Sequence, residues 1–250
     1  GGIETLDGAQ RLFRERLDQE NQDKLRRITT PAVVLKIANA IALCQPAAVF
    51  VNDGSAADAD WIRRRALETE EERSLPMPRH TIHFDLKEEQ GRIIDRTYYI
   101  VDEDEAVSSL ALKLLRRDAL EELRGKMAGI MQRQTMIVGC YMRGPVGSPA
   151  SNPAREITSS AYVAHSAELL YRNAFAGFDG EVARLGPFYT NIHSQGPNRP
   201  EDLPNARVLM DRRDQTTYAC YCTYAGNTLL LKKGNHRFSV DRAVYQKPGE

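Results

Sequence analysis

No stretch of the 250-residue sequence approaches the roughly 20 consecutive apolar residues that a bilayer-crossing helix requires. Gly1-Gly2-Ile3-Glu4 at the start has neither the basic nor the apolar part of a secretory signal, so no membrane partner is expected. An excess of charge is missing too. The 34 Lys and Arg balance the 34 Asp and Glu, so no global field recruits nucleic acid, and any anion site has to be local. Cysteine is scarce. Cys44, Cys140, Cys220 and Cys222 lack C-x-x-C spacing, and Cys220 and Cys222 fall on one face of what reads as a single strand, which does not suit a disulfide framework. Reduced thiols and a cytoplasmic location are the expectation. The phosphate-loop pattern G-x-x-x-x-G-K-[ST] is absent, as are internal repeats and low-complexity tracts. What is present, 42% hydrophobic and 27% charged, is the composition of an ordinary globular chain, and a single α/β domain over residues 1–250 is expected.

The patterning alternates helix and strand, which is the α/β rhythm. Ala9 to Ile28 reads as one amphipathic surface helix. Thr30-Pro31 caps and starts a largely apolar, buried helix over Ala32–Leu43, which Pro46 stops. Ala47–Val51 is a short strand running into Asn52-Asp53-Gly54-Ser55, a turn, and Ala56–Arg73 is a charged helix. Thr81–Phe84 and Tyr98–Val101 read as strands, and His80 and His83 as surface or strand histidines without a ligand cluster. Ala106–Met131 reads as one or two helices and Thr135–Met142 as a strong strand. Arg143-Gly144-Pro145-Val146-Gly147-Ser148-Pro149 is then a built turn at a strand end, where α/β proteins bind ligands. Glu156–Ser160 is extended, Tyr162–Phe175 a helix, Gly177–Pro200 irregular, Val208–Met210 a strand and Asp211–Asp214 a hairpin turn.

The stretch Thr216–His236 carries the chemistry. Thr216–Cys222 reads as a strand, Tyr224-Ala225-Gly226-Asn227 as a turn, and Thr228–Lys233 as a helix start bearing two lysines. Unpaired N–H groups, the positive end of a helix dipole and adjacent lysines are the parts of an anion site. An ordinary connection with two solvated lysines stands beside that reading.

Four stretches in order carry a resemblance. Thr135–Pro149 (T-M-I-V-G-C-Y-M-R-G-P-V-G-S-P) resembles the strand and G-P-x-G-S-P turn of GTP-dependent phosphoenolpyruvate carboxykinases. Asp211-Arg212-Arg213 followed by Tyr224–Lys233 (Y-A-G-N-T-L-L-L-K-K) is similar to that family's D-R-R and Y-G-G-N-S-L-L-G-K-K. Gly91–Thr97 (G-R-I-I-D-R-T) resembles A-R-V-E-D-R-T, and Ala42–Pro46 (A-L-C-Q-P) with Asp53-Gly54-Ser55 matches an N-terminal A-L-C-Q-P…D-G-S. The resemblance covers the family's N-terminal lobe and implies an α/β fold with a mixed sheet and flanking helices. It implies conversion of oxaloacetate and GTP to phosphoenolpyruvate, CO2 and GDP in gluconeogenesis, with a divalent metal (manganese or magnesium).

By the same resemblance Arg92 grips the substrate carboxylate, for which a guanidinium fork is suited. Tyr224, Ala225 and Gly226 meet the substrate's edge, Lys232 binds substrate and stabilises developing enolate and phosphoryl charge, and Lys233 ligates the metal. GTP is bound by a C-terminal nucleotide-binding lobe that this sequence lacks, so the chain alone is expected to be inactive. Departures from the pattern are Ala225 for the first glycine of Y-G-G, Leu231 for a glycine, and Ser159-Ser160-Ala161-Tyr162 for D-S-P-Y. The family's histidine and aspartate metal ligands would lie beyond Lys233, and His236 is too close to be that histidine. Two alternatives stand beside this reading: a stand-alone non-catalytic domain derived from the lobe, and the lobe of a relative using another phosphoryl donor.

Overall fold

Two helices occupy the span that patterning reads as one. In the computed structural model, which describes residues 2–85, 94–105, 107, 111–149, 151–197 and 199–223, α1 is Leu6–Arg16 and α2 is Gln19–Arg26. Leu17 is extended, and the Asp18 carboxylate accepts the Asn21 N–H (2.9 Å) as the cap of α2. A short acidic side chain that bonds the backbone locally starts a new helix instead of continuing the old one. α3 (Pro31–Cys44) follows, with Pro31 in its first turn and Gln45 in the left-handed region (φ 48°) at its end. Ile37, Ala38, Ile41 and Cys44 of α3 are buried. Each fully buried large aliphatic there contributes about 1.5–3 kcal/mol.

The remaining elements are β1 (Ala48–Asn52), α4 (Ala56–Glu68), β2 (Arg73–Ser74), β3 (Thr81–Ile82), β4 (Thr97–Val101), β5 (Leu112–Leu115), α5 (Arg116–Met127), β6 (Thr135–Arg143) and β7 (Asn152–Thr158). They continue with α6 (Ala161–Leu170), β8 (Arg172–Asn173), α7 (Phe178–Leu185), β9 (Tyr189–Ser194), β10 (Arg207–Asp211) and β11 (Thr216–Cys220). Short 3₁₀ turns cover Ile94–Arg96, Phe175–Gly177 and Pro200–Asn205.

Among the described residues nine strands form one mixed sheet in the order β1-β6-β7-β9-β11-β10-β4-β5, with β8 also paired to β6. β6 alternates cleanly. Met136, Val138, Cys140 and Met142 join the core beneath α3, while Ile137 packs with Ile62 and Ala66 of α4 and Ala161 and Ala164 of α6. Helices therefore cover both faces, and the expected α/β mixed-sheet class is what the fold shows. Gly139 allows the closest packing within the sheet: a Cβ there would lie 2.6 Å from the ring of Tyr141.

Several expectations are corrected. Ala106–Met131 contains the edge strand β5 before α5; Leu112, Lys113, Leu114 and Leu115 are good helix formers, and pairing with β4 overrides that preference. The stretch expected to be irregular, Gly177–Pro200, holds α7 and the central strand β9. β9 reads Y-T-N-I-H-S and is buried throughout, so no alternation of apolar and polar residues marks it. Cys220 and Cys222 do not share a face. β11 ends at Cys220, Tyr221 takes φ 55°, and the two thiols enter different clusters. All four cysteines are buried and outside any disulfide, and burial pushes the thiols of Cys44, Cys140 and Cys220 up to about 12. No helix of the described residues is long and apolar enough to cross a membrane.

Candidate functional site

Register assigns each strand end to one of two sheet edges. Thr158 of β7 is level with His193 of β9, and Ser194 of β9 with Cys220 of β11. Ala219 of β11 is level with Val208 of β10, and Val208 with Thr97 of β4. The carboxyl ends of β7, β9 and β11 thus share one edge with the starts of β10 and β4. Carboxyl strand ends of α/β sheets are where ligands bind.

Arg92, Tyr224, Ala225, Gly226, Lys232 and Lys233 lie outside the described residues, as does the expected turn and helix start at Tyr224–Lys233. The described residues place the backbone around them. Ile94, two residues after Arg92, opens the 3₁₀ turn that leads into β4, and Thr223, the residue before Tyr224, follows β11. Both belong to this edge. Strands spaced about 4.8 Å apart put the starts of β4 and the end of β11, with β10 between them, on the order of 10 Å from each other.

The turn Arg143–Pro149 is at the opposite edge, because β6 runs antiparallel to β7 and ends beside its start. Gly144 and Gly147 take φ 82°, and the Arg184 guanidinium donates to the Ser148 carbonyl (3.0 Å). Asp211, first residue of the D-R-R motif, is at that edge too, and accepts a bidentate pair of bonds from Arg116 (2.8 and 2.7 Å).

Three polar groupings build the edge next to Thr223. In the first, His193 is fully buried between Thr158 and the Cys222 carbonyl, with Nδ1 2.7 Å from Thr158 Oγ1 and Nε2 2.8 Å from the oxygen. A carbonyl only accepts, so Nε2 carries the proton and Nδ1 accepts from the Thr158 hydroxyl. That hydroxyl in turn accepts the Ser160 N–H (3.0 Å). Burial lowers the His193 pKa to about 4, so the ring is neutral.

In the second grouping, Glu71 caps α6. Its carboxylate accepts from the N–H of Ala161 (3.0 Å) and Tyr162 (3.2 Å) and from the Ser160 hydroxyl, while Ser160 Oγ accepts the Val163 N–H (3.1 Å). The helix start, itself an anion-binding feature, is thereby filled by the protein's own carboxylate. Ala161 stands where the resemblance has proline, and its N–H is one of the two backbone groups that Glu71 engages. Glu72 alongside pairs with buried His165 (2.8 Å).

The third grouping corrects the reading of His83 as a surface histidine. Its ring stacks on Tyr162 (centroids 3.5 Å apart), Nδ1 donates to the Glu71 carbonyl (2.5 Å) and Nε2 to the Asp85 carboxylate (2.5 Å). Burial opposes its charge, but two acceptors outweigh burial and raise its pKa. Asp85 is also opposed by burial, yet its pKa is held down by His83 and by the Thr223 hydroxyl, which faces it without closing a full hydrogen bond. One histidine is held neutral and the other charged, each by the chemistry of its partners.

Among the described residues no group of three His, Cys, Asp or Glu is arranged to hold a metal ion. Both ring nitrogens of His83 and of His193 are taken by protein groups. The described residues therefore offer a metal no set of donors.

The family described as "Phosphoenolpyruvate carboxykinase N-terminal domain" matches residues 36–244. The chain belongs to that family. Phosphoenolpyruvate carboxykinase [GTP] of Pyrococcus horikoshii is 34% identical over 239 residues, which is 93% of this chain and 38% of that protein. The namesake of Pyrococcus abyssi is 35% identical over 91% of this chain and 37% of its own length. The Ascaris suum namesake is 25% identical over 79% of this chain and 34% of its own. The chain spans well under half the length of the curated relatives it matches. Membership in the carboxykinase N-terminal domain family accounts for the four ordered motifs, and the described residues beside Arg92 and Tyr224, Ile94 and Thr223, belong to one edge of the sheet. His193, Glu71 and His83 carry no motif in a single sequence, and patterning passes over them.

Proposed function

We propose that this chain is the N-terminal, substrate-binding lobe of a GTP-dependent phosphoenolpyruvate carboxykinase. In this reading Arg92 binds a carboxylate of oxaloacetate or phosphoenolpyruvate through its guanidinium fork. Tyr224, Ala225 and Gly226 shape the substrate's edge. Lys232 contacts the substrate and stabilises charge that develops on its oxygens, and Lys233 is a metal ligand. A divalent metal, manganese or magnesium, would supply Lewis-acid polarisation when bound. GTP is held by a C-terminal lobe, and the location is cytoplasmic, with a part in gluconeogenesis.

What supports this reading is that Ile94, two residues after Arg92, and Thr223, the residue before Tyr224, belong to one edge of the sheet. Calorimetric titration with oxaloacetate tests it. Binding is expected in the wild type and at least ~10-fold weaker binding in Arg92→Ala, since a lost charge-assisted bidentate contact is worth on the order of 1.5–3 kcal/mol. Equal binding by the two proteins, or none by either, would overturn the assignment. The second of those outcomes is the one a stand-alone, non-catalytic domain produces, and Ala225 and Leu231, where the resemblance has glycines, are the features that favour it. The phosphoryl donor is chosen by the C-terminal lobe.

A further inference from the structure

The hairpin turn between β10 and β11 reaches back to α3 through one ion pair. Lys36 of α3 donates to the Asp214 carboxylate (2.5 Å) and to the Asp214 carbonyl (3.2 Å). The Tyr218 hydroxyl of β11 donates to the same carboxylate (3.4 Å). Between α3, β9 and β11 these groups border a cavity of about 550 Å³. Sites for small molecules enclose roughly 300–1,000 Å³, mostly behind apolar walls with a few polar groups. Here the walls include Leu35 and Leu43 of α3, Phe188 just before β9 and Ile192 within it. Lys36, Arg213 and Asp214 are the charged residues of the lining.

The charges around the cavity do not balance. Asp214 is matched by Lys36, Asp211 by Arg116 and Asp102 by Arg213 (3.5 Å). Arg155 of β7 is left over. Its guanidinium is fully buried and donates to the Val33 carbonyl (2.6 Å) and the Thr190 hydroxyl (3.1 Å), while Nε has no partner. Among the described residues no carboxylate pairs with it. Burial lowers its pKa only to about 10, so it is charged at neutral pH. Its Cζ lies 5.1 Å from the ring centre of Phe188, a wall of the cavity. Its field also reaches Lys36, whose pKa is lowered by burial, with Arg155 adding to that and Asp214 opposing it. A buried cation without a counter-charge is costly, and an anion brought beside it recovers part of the cost. Lys36 has the means to hold one: an ammonium has three N–H donors, and among the described residues it bonds only to Asp214.

We infer that this cavity binds a small organic anion with an apolar body, its carboxylate held by the Lys36 ammonium and its hydrocarbon part lying against Leu35, Leu43 and Phe188. The inference goes beyond the carboxykinase reading and does not rest on it. The test is calorimetric titration of the full chain with octanoate, using octanol and octyltrimethylammonium as probes of like body without charge and with positive charge. Octanoate is expected to bind the wild type at least ~10-fold more tightly than either of the others, the scale of one charge-assisted hydrogen bond. Lys36→Met, which keeps the length of the stem and removes the charge, is expected to weaken octanoate by at least the same ~10-fold. Ala32→Phe puts a ring at an exposed position of the lining and is expected to weaken octanoate as well.

A wild-type protein that does not bind octanoate overturns the inference. So does equal binding of octanoate and octyltrimethylammonium, because the cavity would then have no preference for negative charge. Unchanged octanoate affinity in Lys36→Met places the anion elsewhere and overturns it too. If thermal unfolding shows that Lys36→Met does not fold, Ala32→Phe decides, and an unchanged affinity in that variant likewise overturns the inference.

Discussion

His193 and His83 show at the scale of single residues how partners decide protonation. His193 faces a hydroxyl and a carbonyl in full burial, and burial lowers its pKa from 6.5 to about 4. Between those values the unfolded chain binds a proton that the folded chain does not, so stability rises with pH across that window. The contribution is complete above pH 6.5 and lost as pH falls through 4, a difference of about 3 kcal/mol. His83 is shifted the other way, so the useful quantity is a difference between proteins. Denaturant titrations from pH 7 to pH 4 are expected to show a shallower acid loss for His193→Gln than for wild type, and parallel curves would contradict a buried neutral ring. Neither histidine's state was legible from its sequence neighbours. His80 and His83 stand three apart on either side of the two-residue strand β3, with nothing in the sequence to separate them. His83 is set apart by contacts with Glu71, Asp85 and Tyr162, of which Glu71 and Tyr162 are distant in the chain.

At the scale of elements, the start of α6 is closed by a residue from elsewhere in the chain. Ser160, read from sequence as the end of an extended run, is the N-cap, and Glu71 lies 90 residues before Ala161, whose N–H it accepts. Glu71→Ala is expected to lower stability by about 2 kcal/mol, the upper end of what a helix cap contributes, with the loss recorded as a lower midpoint in chemical denaturation. An unchanged midpoint would mean that solvent replaces the carboxylate at no cost. The same contrast separates the strands. β1, β6, β10 and β11 were legible because apolar or β-branched residues recur in them, whereas β9 was not. Thr190, Asn191, His193 and Ser194 are buried there and bond sideways to Arg155, Glu156, Thr158 and Ser159, although Asn191 Oδ1 and Glu156 Oε1 are left without a hydrogen bond. Burial pushes Glu156 well above the usual carboxylate range.

At the scale of the molecule, a nine-stranded sheet with helices on both faces puts the starts of β4 and β10 beside the ends of β7, β9 and β11. Ile94 and Thr223, the described residues beside the groups proposed to bind substrate, are at this one edge, and the groups proposed to bind nucleotide are assigned to a second lobe. Residues 1–250 supplied with oxaloacetate, GTP and manganese are accordingly expected to form no phosphoenolpyruvate, and to do so once the nucleotide-binding lobe is restored. Turnover by residues 1–250 alone would refute this division of labour.

Local order along the chain determined the family, the alternation of helices and strands and the candidate substrate groups Arg92 and Tyr224–Lys233, because turn chemistry, periodicity and short motifs reside in consecutive residues. Tertiary structure alone decided that the Arg143–Pro149 turn lies at the edge away from Ile94 and Thr223, that β9 is central, and that Glu71, His83, Asp85 and His193 gather beside Thr223. Register and strand direction join residues far apart in the chain, Ala48 with Thr135 and Thr97 with Val208, and no local pattern encodes such pairings.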